Sequence, residues 1–449
     1  MIEEARTRED MPTMPAGVSR PPRPATSFSS GGIGRAARPI VRADALYGTV
    51  RVAGWAAALL STPPFQRLAG VSLSDVPGEL LFGHSFPSRL DHTLGVYHLA
   101  RLARPRDRAL QVAALAHDVG HGPFSHLTEP LMYERLGEGH EARSAHLLEE
   151  VRATLPPPLA RQVAWLDWDE VAHLVQGDGP DGRGALLNGL LDYDNMDNVA
   201  RFLAASNLGT PGYDPVALAR ALRPLTPEAM NAEDGASPEA ERVYVQASAE
   251  AEARAWQMDR AHVYRFLHEG HRNLAAHAML RKAVDLAAAT DILPPSFFDM
   301  TDAQALRLLE QALDRGLVAL VRRVQSDASM LHQCVWEGET DAHAREMPAM
   351  LAGWRERLAL EAQLSAEAGL APHEVIVDTI VSKAERPLPP FAAGYRPSAA
   401  TLTPAPRPQT APRMLHLFVA AGTAPDYVRR LRMAAERCFV PLGVTPRED

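Results

Sequence analysis

Leu115-Ala-His-Asp-Val-Gly-His-Gly-Pro-Phe-Ser-His126 decides how this chain is read. His117, Asp118, His121 and His126 crowd into twelve residues beside two glycines and a proline. A fold gains little from clustered imidazoles, whereas a metal ion or a phosphate group uses them directly. The density continues outward: of seventeen histidines, eight fall between His84 and His146. The preceding segment, RALQVAALAHDVG from Arg108, has helical periodicity and reaches Gly120, read as its C′ residue. His117 and Asp118 then belong to the last turn, where unpaired carbonyls and the negative end of the helix dipole favour a cation. A histidine from a neighbouring helix, such as His92 in RLDHTLGVYHLARLA, and a distant carboxylate would complete a His/His/Asp/Asp set. Such mixed ligands suit one divalent ion, Mn, Fe, Zn or Mg.

Composition sets the frame. The 449 residues are 46% hydrophobic and 22% charged, as in globular proteins, and long enough for two or three structural units. A formal charge of −9 argues against nucleic acid or a membrane surface as the partner. Only two cysteines occur, Cys334 and Cys438, and no apolar run approaches the roughly 18 residues of a membrane span. A cytoplasmic protein is expected. Walker-type phosphate loops, Rossmann glycine sets and Cys-rich zinc patterns are absent from the sequence.

Residues 1–43 are rich in Pro, Ser, Gly and Arg without an apolar period and are read as a disordered arm. Long helical stretches follow: one from Ala251, with Gly270 as a possible break, one from Ala303, and one over 349–368 closed by Gly369. HEVIVDTIVS and RMLHLFVAAG have strand character, are separated by the Pro-rich 387–412, and precede a closing helix, APDYVRRLRMAAERCF. The expected class is mainly α with a small α+β C-terminal lobe. His332, His343, His373 and His416 are expected on the surface or in loops.

Leu115–His126 together with FPSRLDHTLGV (Phe86–Val96) and the His140-Glu141 pair resembles the HD-domain phosphohydrolases. The similarity is greatest to their deoxynucleoside triphosphate triphosphohydrolase branch, which includes the dGTPase-like enzymes. ALYGTVRVAGWAAALLSTPPFQRL, from Ala45, is similar to the segment preceding the core in that branch, and FFDMTDAQAL extends a weaker likeness. The resemblance implies an HD-domain helical core over 44–210, a helical continuation over 211–372 and a lobe over 373–449. It implies a metal held by His92, His117, Asp118 and a later aspartate from LLDYDNMDNVARF.

Asp192, Asp194 and Asp197 compete for that last place. Asp194 lies three and four residues after Leu191 and Leu190, on an inward face, and it also aligns with the family's ligand. Asp192 is then a supporting carboxylate, and Asp197 an ordinary surface pair with Arg201 at i+4.

By the resemblance, His126 protonates the leaving oxygen, His121 and His140 face the scissile phosphate, and Glu129 orients the later histidine. Arg89 is the expected phosphate clamp. Asn195, Asn198 and Phe202 depart from the branch's sugar- and phosphate-contacting residues. DRAHVYRFLHEGHRN, with Arg260 and Tyr264, has a counterpart in the family that supplies an aromatic near the sugar or base, and a plain amphipathic helix is the other reading. The implied activity is metal-dependent hydrolysis of a (deoxy)nucleoside triphosphate to nucleoside and triphosphate, by a homo-oligomer. Two alternatives stand beside it: a phosphatase or phosphodiesterase acting on another nucleotide or phosphate ester, and a nucleotide sensor without turnover.

Overall fold

The computed structural model describes residues 40–52, 54–178, 181–189, 191–225, 242–326, 331–338, 353–381, 388–393, 413–442 and 445–446. It opens with an antiparallel hairpin, β1 (Ile40–Asp44) and β2 (Gly48–Val52). Residues 40–43 are therefore strand, a correction to the expected arm over 1–43, whose first 39 residues lie outside the described residues. IVRAD alternates half-buried and exposed positions, the period of a strand with one covered face.

Helices α1 (Gly54–Leu60), α2 (Pro63–Arg67) and α3 (Gly78–Phe82) lead to α4 (Arg89–Ala103). Ser88 and Asp91 start α4 with a reciprocal capping box. Eleven residues of α4, from Arg89 to Ala100, are buried, so it is a central helix packed on all sides. Against it lie α5 (Arg108–Ala116), α10 (Tyr193–Ser206) and α11 (Pro215–Ala221). Between them the chain forms α6 (Glu129–Leu136), α7 (His140–Thr154), α8 (Pro157–Gln162) and α9 (Trp168–Val175).

Beyond the first core, Gly270 divides α12 (Glu250–Glu269) from α13 (His271–Ala289), as its sequence position suggests. The stretch from Ala303 is two helices, α14 (Asp302–Glu310) and α15 (Arg315–Gln325), because the Asp314 carboxylate caps a new N-terminus. Helix α16 (Trp354–Ala368) ends at Gly369 in the left-handed conformation.

Among the described residues, three sheets accompany the helices. β5 (Leu331–Gly338), β6 (Val375–Val381), β8 (Arg413–Val419) and β9 (Thr445–Pro446) form a sheet ordered β6-β8-β5-β9, backed by α16 and α17 (Pro425–Phe439). His416 on β8 is buried, contrary to its expected surface place, because the sheet is covered on both faces. His343 lies outside the described residues. The third sheet joins distant parts: β4 (Val243–Gln246) pairs antiparallel with β3 (Leu222–Pro224) and parallel with β7 (Phe391–Ala392), which comes from the expected Pro-rich linker.

The lobe is tied to α13 by a buried cation. Lys282 Nζ donates to the carbonyls of Pro372 and Val375 at 2.5 and 2.6 Å and pairs with Glu361 at 2.8 Å. Glu361 in turn accepts the Val377 amide. Removing one member leaves a buried charge unpaired, which costs about 3–5 kcal/mol. Lys282→Met should lower unfolding free energy by about that amount in urea titration, with partial recovery in Lys282→Met/Glu361→Gln; a loss below about 1 kcal/mol would contradict this tie.

Candidate metal and phosphate site

The turn that leaves α5 is built to end there. His117 is the C-cap of α5, and the next carbonyls are taken by side chains instead of a glycine cap. The Ser144 hydroxyl donates to His117 O and accepts the Gly120 amide; Arg143 donates to Gly120 O, and Arg67 to Val119 O and His121 O. Gly120 is not a left-handed C′ residue. Its need for glycine is spatial: a Cβ there would collide with His140 O and Ser144 N at the start of α7.

This turn places His117 and Asp118 opposite His92 on α4 and Asp194 in the first turn of α10. His92 Nε2 lies 2.9 Å from Asp194 Oδ1, 3.3 Å from His117 Nε2 and 3.7 Å from Asp118 Oδ2. His117 Nε2 lies 3.4 Å from Asp118 Oδ1. The four expected residues are thus brought together. His117 Nδ1 faces Ala114 O at 3.0 Å and His92 Nδ1 faces Asp197 Oδ2 at 2.8 Å, contacts that put the proton on Nδ1 and aim both Nε2 lone pairs inward. Two lone pairs and two carboxylates converging in a buried space are the donor set of a divalent cation. Without one, His92 carries the charge: burial opposes it, but hydrogen bonds to Asp194 and Asp197 outweigh burial and push its pKa up to about 9. Asp118 is held well below the usual carboxylate range because Arg89, His117 and His121 overcome its burial.

Asp197 corrects the reading of a surface pair. Its carboxylate is fully buried and accepts from His92, from Arg201 Nε and Nη2 at 2.8 and 2.9 Å, and from the Tyr47 hydroxyl at 2.8 Å. Arg201 also pairs with Asp44 at 3.0 Å, so the β1–β2 hairpin closes this network. Gly95 on α4 makes room, since a Cβ there would strike Asp197 and Arg201. The i+4 spacing of Asp197 and Arg201 was legible; their burial against α4 was not. Asp192 caps α10, the helix that carries Asp194, and accepts from Gly189 and Asn195.

A second group adjoins the first. The rings of His121 and His140 stack at 3.9 Å, and His126 stands edge-on to both at 4.7 and 5.2 Å. Glu129 holds two of them, with Oε2 2.9 Å from His126 Nδ1 and Oε1 2.6 Å from His140 Nδ1. Burial opposes both charges, but the mutual hydrogen bonds lower the Glu129 pKa and raise that of His140. His121 is different: burial and the nearby Arg89 keep it neutral, although its Nε2 is 3.2 Å from Asp118. Arg89 donates to Asp118 at 2.8 Å and to Ser125 Oγ at 2.9 Å, so part of its fork is already engaged.

A cavity of about 280 Å³ opens beside these groups, with Arg89 and His126 on its wall. Asn198 and Phe202 line it, which sets two departures from the expected pattern at the ligand face. Tyr264 lines it as well, with Arg260 packed on its ring at 4.1 Å, so of the two readings of this segment the aromatic one has its residue at the cavity wall. Asn195 instead bonds Asp192 at the start of α10.

Partners that orient a ligating histidine typically contribute 10–100-fold to metal affinity. Asp197→Asn should therefore weaken Mn(II) binding by about 10–100-fold in a chelator-competition titration, with Asp192→Asn changing it less than about threefold. Equal affinity in Asp197→Asn and the unaltered chain would refute the orienting role.

Residues 89–206 match the HD domain family model, spanning α4 to the end of α10. An HD domain-containing protein of Acanthamoeba polyphaga mimivirus is 26% identical over 201 residues, 37% of this chain and 43% of its own length. Deoxynucleoside triphosphate triphosphohydrolase SAMHD1 of Gallus gallus is 30% identical over 127 residues, 24% of this chain and 20% of its own. A deoxyguanosinetriphosphate triphosphohydrolase-like protein of Rhizobium meliloti is 33% identical over 158 residues, 30% of this chain and 36% of its own. The similarity thus covers less than half of each relative. No helix among the described residues is long and apolar enough to cross a membrane. Residues 89–206 therefore carry an HD domain, and over this part the chain is similar to proteins named as deoxynucleoside triphosphate and deoxyguanosinetriphosphate triphosphohydrolases.

Proposed function

We propose that this chain is a metal-dependent phosphohydrolase that cleaves (deoxy)nucleoside triphosphates to nucleoside and inorganic triphosphate. The observation that carries the reading is the junction of two groups: the His92/His117/Asp118/Asp194 set and, one residue pair away through Asp118 and His121, the Glu129-anchored histidines. A divalent ion held by the four ligands supplies Lewis-acid polarisation of a phosphate oxygen and acidifies water at neutral pH.

The remaining work falls to side chains. Arg89, buried and fixed by Asp118 and Ser125, presents positive charge at the cavity wall where phosphate charge develops. His121, kept neutral, and His140, kept protonated by Glu129, stack into one plane-parallel pair that faces the transferring group. His126 reaches the cavity with Glu129 on its Nδ1, which leaves Nε2 to hand a proton to the departing oxygen. The cavity then takes the leaving alcohol.

Asn198 and Phe202 in that wall favour a second reading, hydrolysis of another nucleotide or phosphate ester. A homo-oligomer in a reducing cytoplasm completes the proposal, on the resemblance and on the two cysteines.

Purified protein incubated with each dNTP, NTP and p-nitrophenyl phosphate in Mn, Fe, Mg or Zn, with products separated by anion exchange, tests the proposal. Triphosphate release supports the first reading; orthophosphate or a nucleoside monophosphate supports the second. Binding without turnover in every metal would leave a nucleotide sensor. His117→Ala and Asp118→Ala should each lower kcat by about 10³-fold or more, and chelation of the metal should do the same. Undiminished turnover in these variants would overturn the site assignment.

The Glu129 carboxylate raises the pKa of His140 by stabilising the imidazolium. Glu129→Gln removes that charge, so the protonated form is lost at lower pH. The alkaline limb of the kcat–pH profile should move to lower pH in Glu129→Gln; an unmoved limb would exclude the pair from the rate-limiting protonation.

A further inference from the structure

His126 follows two consecutive non-glycine residues in the left-handed region, Phe124 at φ 62° and Ser125 at φ 53°. Each is strained for an L residue and persists only where surrounding contacts fix it. The contacts are visible. Asp302 at the start of α14 accepts the Phe124 amide at 2.8 Å and the Ser72 amide at 2.8 Å. Ser125 Oγ accepts from Arg89 and donates to Ser72 O at 2.7 Å. The His126 amide donates to Asp75 Oδ1 at 3.1 Å.

Asp302 is buried and fixed by its helix, but Asp75 sits on the segment between α2 and α3 with 35% of its side chain exposed. Its other oxygen, Oδ2, lies 3.8 Å from His277 Nε2 on α13. His277 Nδ1 lies 3.3 Å from Asp378 Oδ2 on β6, and Asp378, buried, is ion-paired with Arg281 one turn along α13. Asp378 thus faces Nδ1 and turns Nε2 toward Asp75, and the two facing carboxylates favour the imidazolium, with a proton on each nitrogen. Alternating charges run from the C-terminal lobe to the amide of His126: Arg281, Asp378, His277, Asp75. Thr379, the neighbour of Asp378, lines the same cavity as His277 and His126, so the lobe also forms part of the cavity wall.

We infer that His277 is a positioning residue: through Asp75 it lets strand β6 hold the strained turn that presents His126. The inference rests on the proposed reading only in giving His126 a proton to transfer; the turn and its anchors stand without it. The arrangement makes the lobe a structural member of the site: the backbone around Asp75 is packed, with Leu73, Ser74 and Val76 buried, while its carboxylate, 35% exposed, meets His277 through the oxygen that does not hold the His126 amide.

Hydrogen exchange of the full-length chain followed by mass spectrometry tests it. Peptides covering 123–128 should exchange about tenfold faster in His277→Ala and in Asp75→Ala, with peptides from α5 and bound Mn(II) unchanged. The two substitutions together should do no more than either alone, because they cut one chain. Added imidazole should restore slow exchange to His277→Ala and leave Asp75→Ala unaffected.

A second arm uses dGTP or p-nitrophenyl phosphate, whichever the unaltered chain hydrolyses: His277→Ala should lower kcat about tenfold with KM within about twofold. Unchanged exchange over 123–128 in His277→Ala overturns the inference. So does a raised KM at constant kcat, which would make His277 a substrate contact. If neither ester is hydrolysed by the unaltered chain, the preceding functional reading fails and the exchange comparison alone decides this one.

Discussion

Two imidazole nitrogens rest 3.3 Å apart, lone pair toward lone pair, with two aspartates beside them. Electrostatics allows this only if positive charge occupies the middle, as a proton on His92 or as a metal ion. Much else follows from that demand. His92 must come from a helix buried on all sides, so α4 forms the axis of the first core. His117 and Asp118 must leave α5 side by side, so the helix stops at a turn whose carbonyls are claimed by Ser144, Arg143 and Arg67. Asp194 must arrive in the first turn of α10, which its capping residue Asp192 secures.

The charge is supported a layer further out. A carboxylate as deeply buried as Asp197 is tolerable because four donors surround it: the His92 ring, two nitrogens of Arg201 and the Tyr47 hydroxyl. That layer reaches the N-terminal hairpin through Asp44 and Tyr47. The opposite side is reached from the other end of the chain, through Asp378 and His277. Elements distant in sequence therefore meet the site from two directions, while the ligands themselves come from three adjacent helices.

The sequence disclosed what depends on local chemistry. His117, Asp118 and the later histidines stood out by density, and α4, α5 and the break at Gly270 by period and breaker residues. What stayed hidden depends on tertiary contact. Asp197 and Arg201 have the spacing of a solvated pair, and only the close approach of α4 at Gly95 buries them. Gly120 looked like a helix terminator, yet its missing Cβ serves the contact with α7. Asp75 and His277 carry no motif, and Asp302 stands in FFDMTDAQAL without a readable role, because each acts on a backbone amide or a neighbouring charge far along the chain. Ile40–Asp44 alternates over too few residues to be distinguished from the polar stretch before it.

The parallel pairing of β4 with β7 has a bearing on solution behaviour. Strand β4 is the middle of its small sheet, flanked by β3 on one side and by Phe391–Ala392 on the other. A chain cut before Phe391 would bare the backbone donors and acceptors of Val245 and Gln246 on that side, in a strand three of whose four residues are buried. An apolar strand with an open flank is a template for strand addition by another molecule. Trimming at the proline-rich stretch is therefore a route to self-association, and the two residues of β7 act as a guard against it.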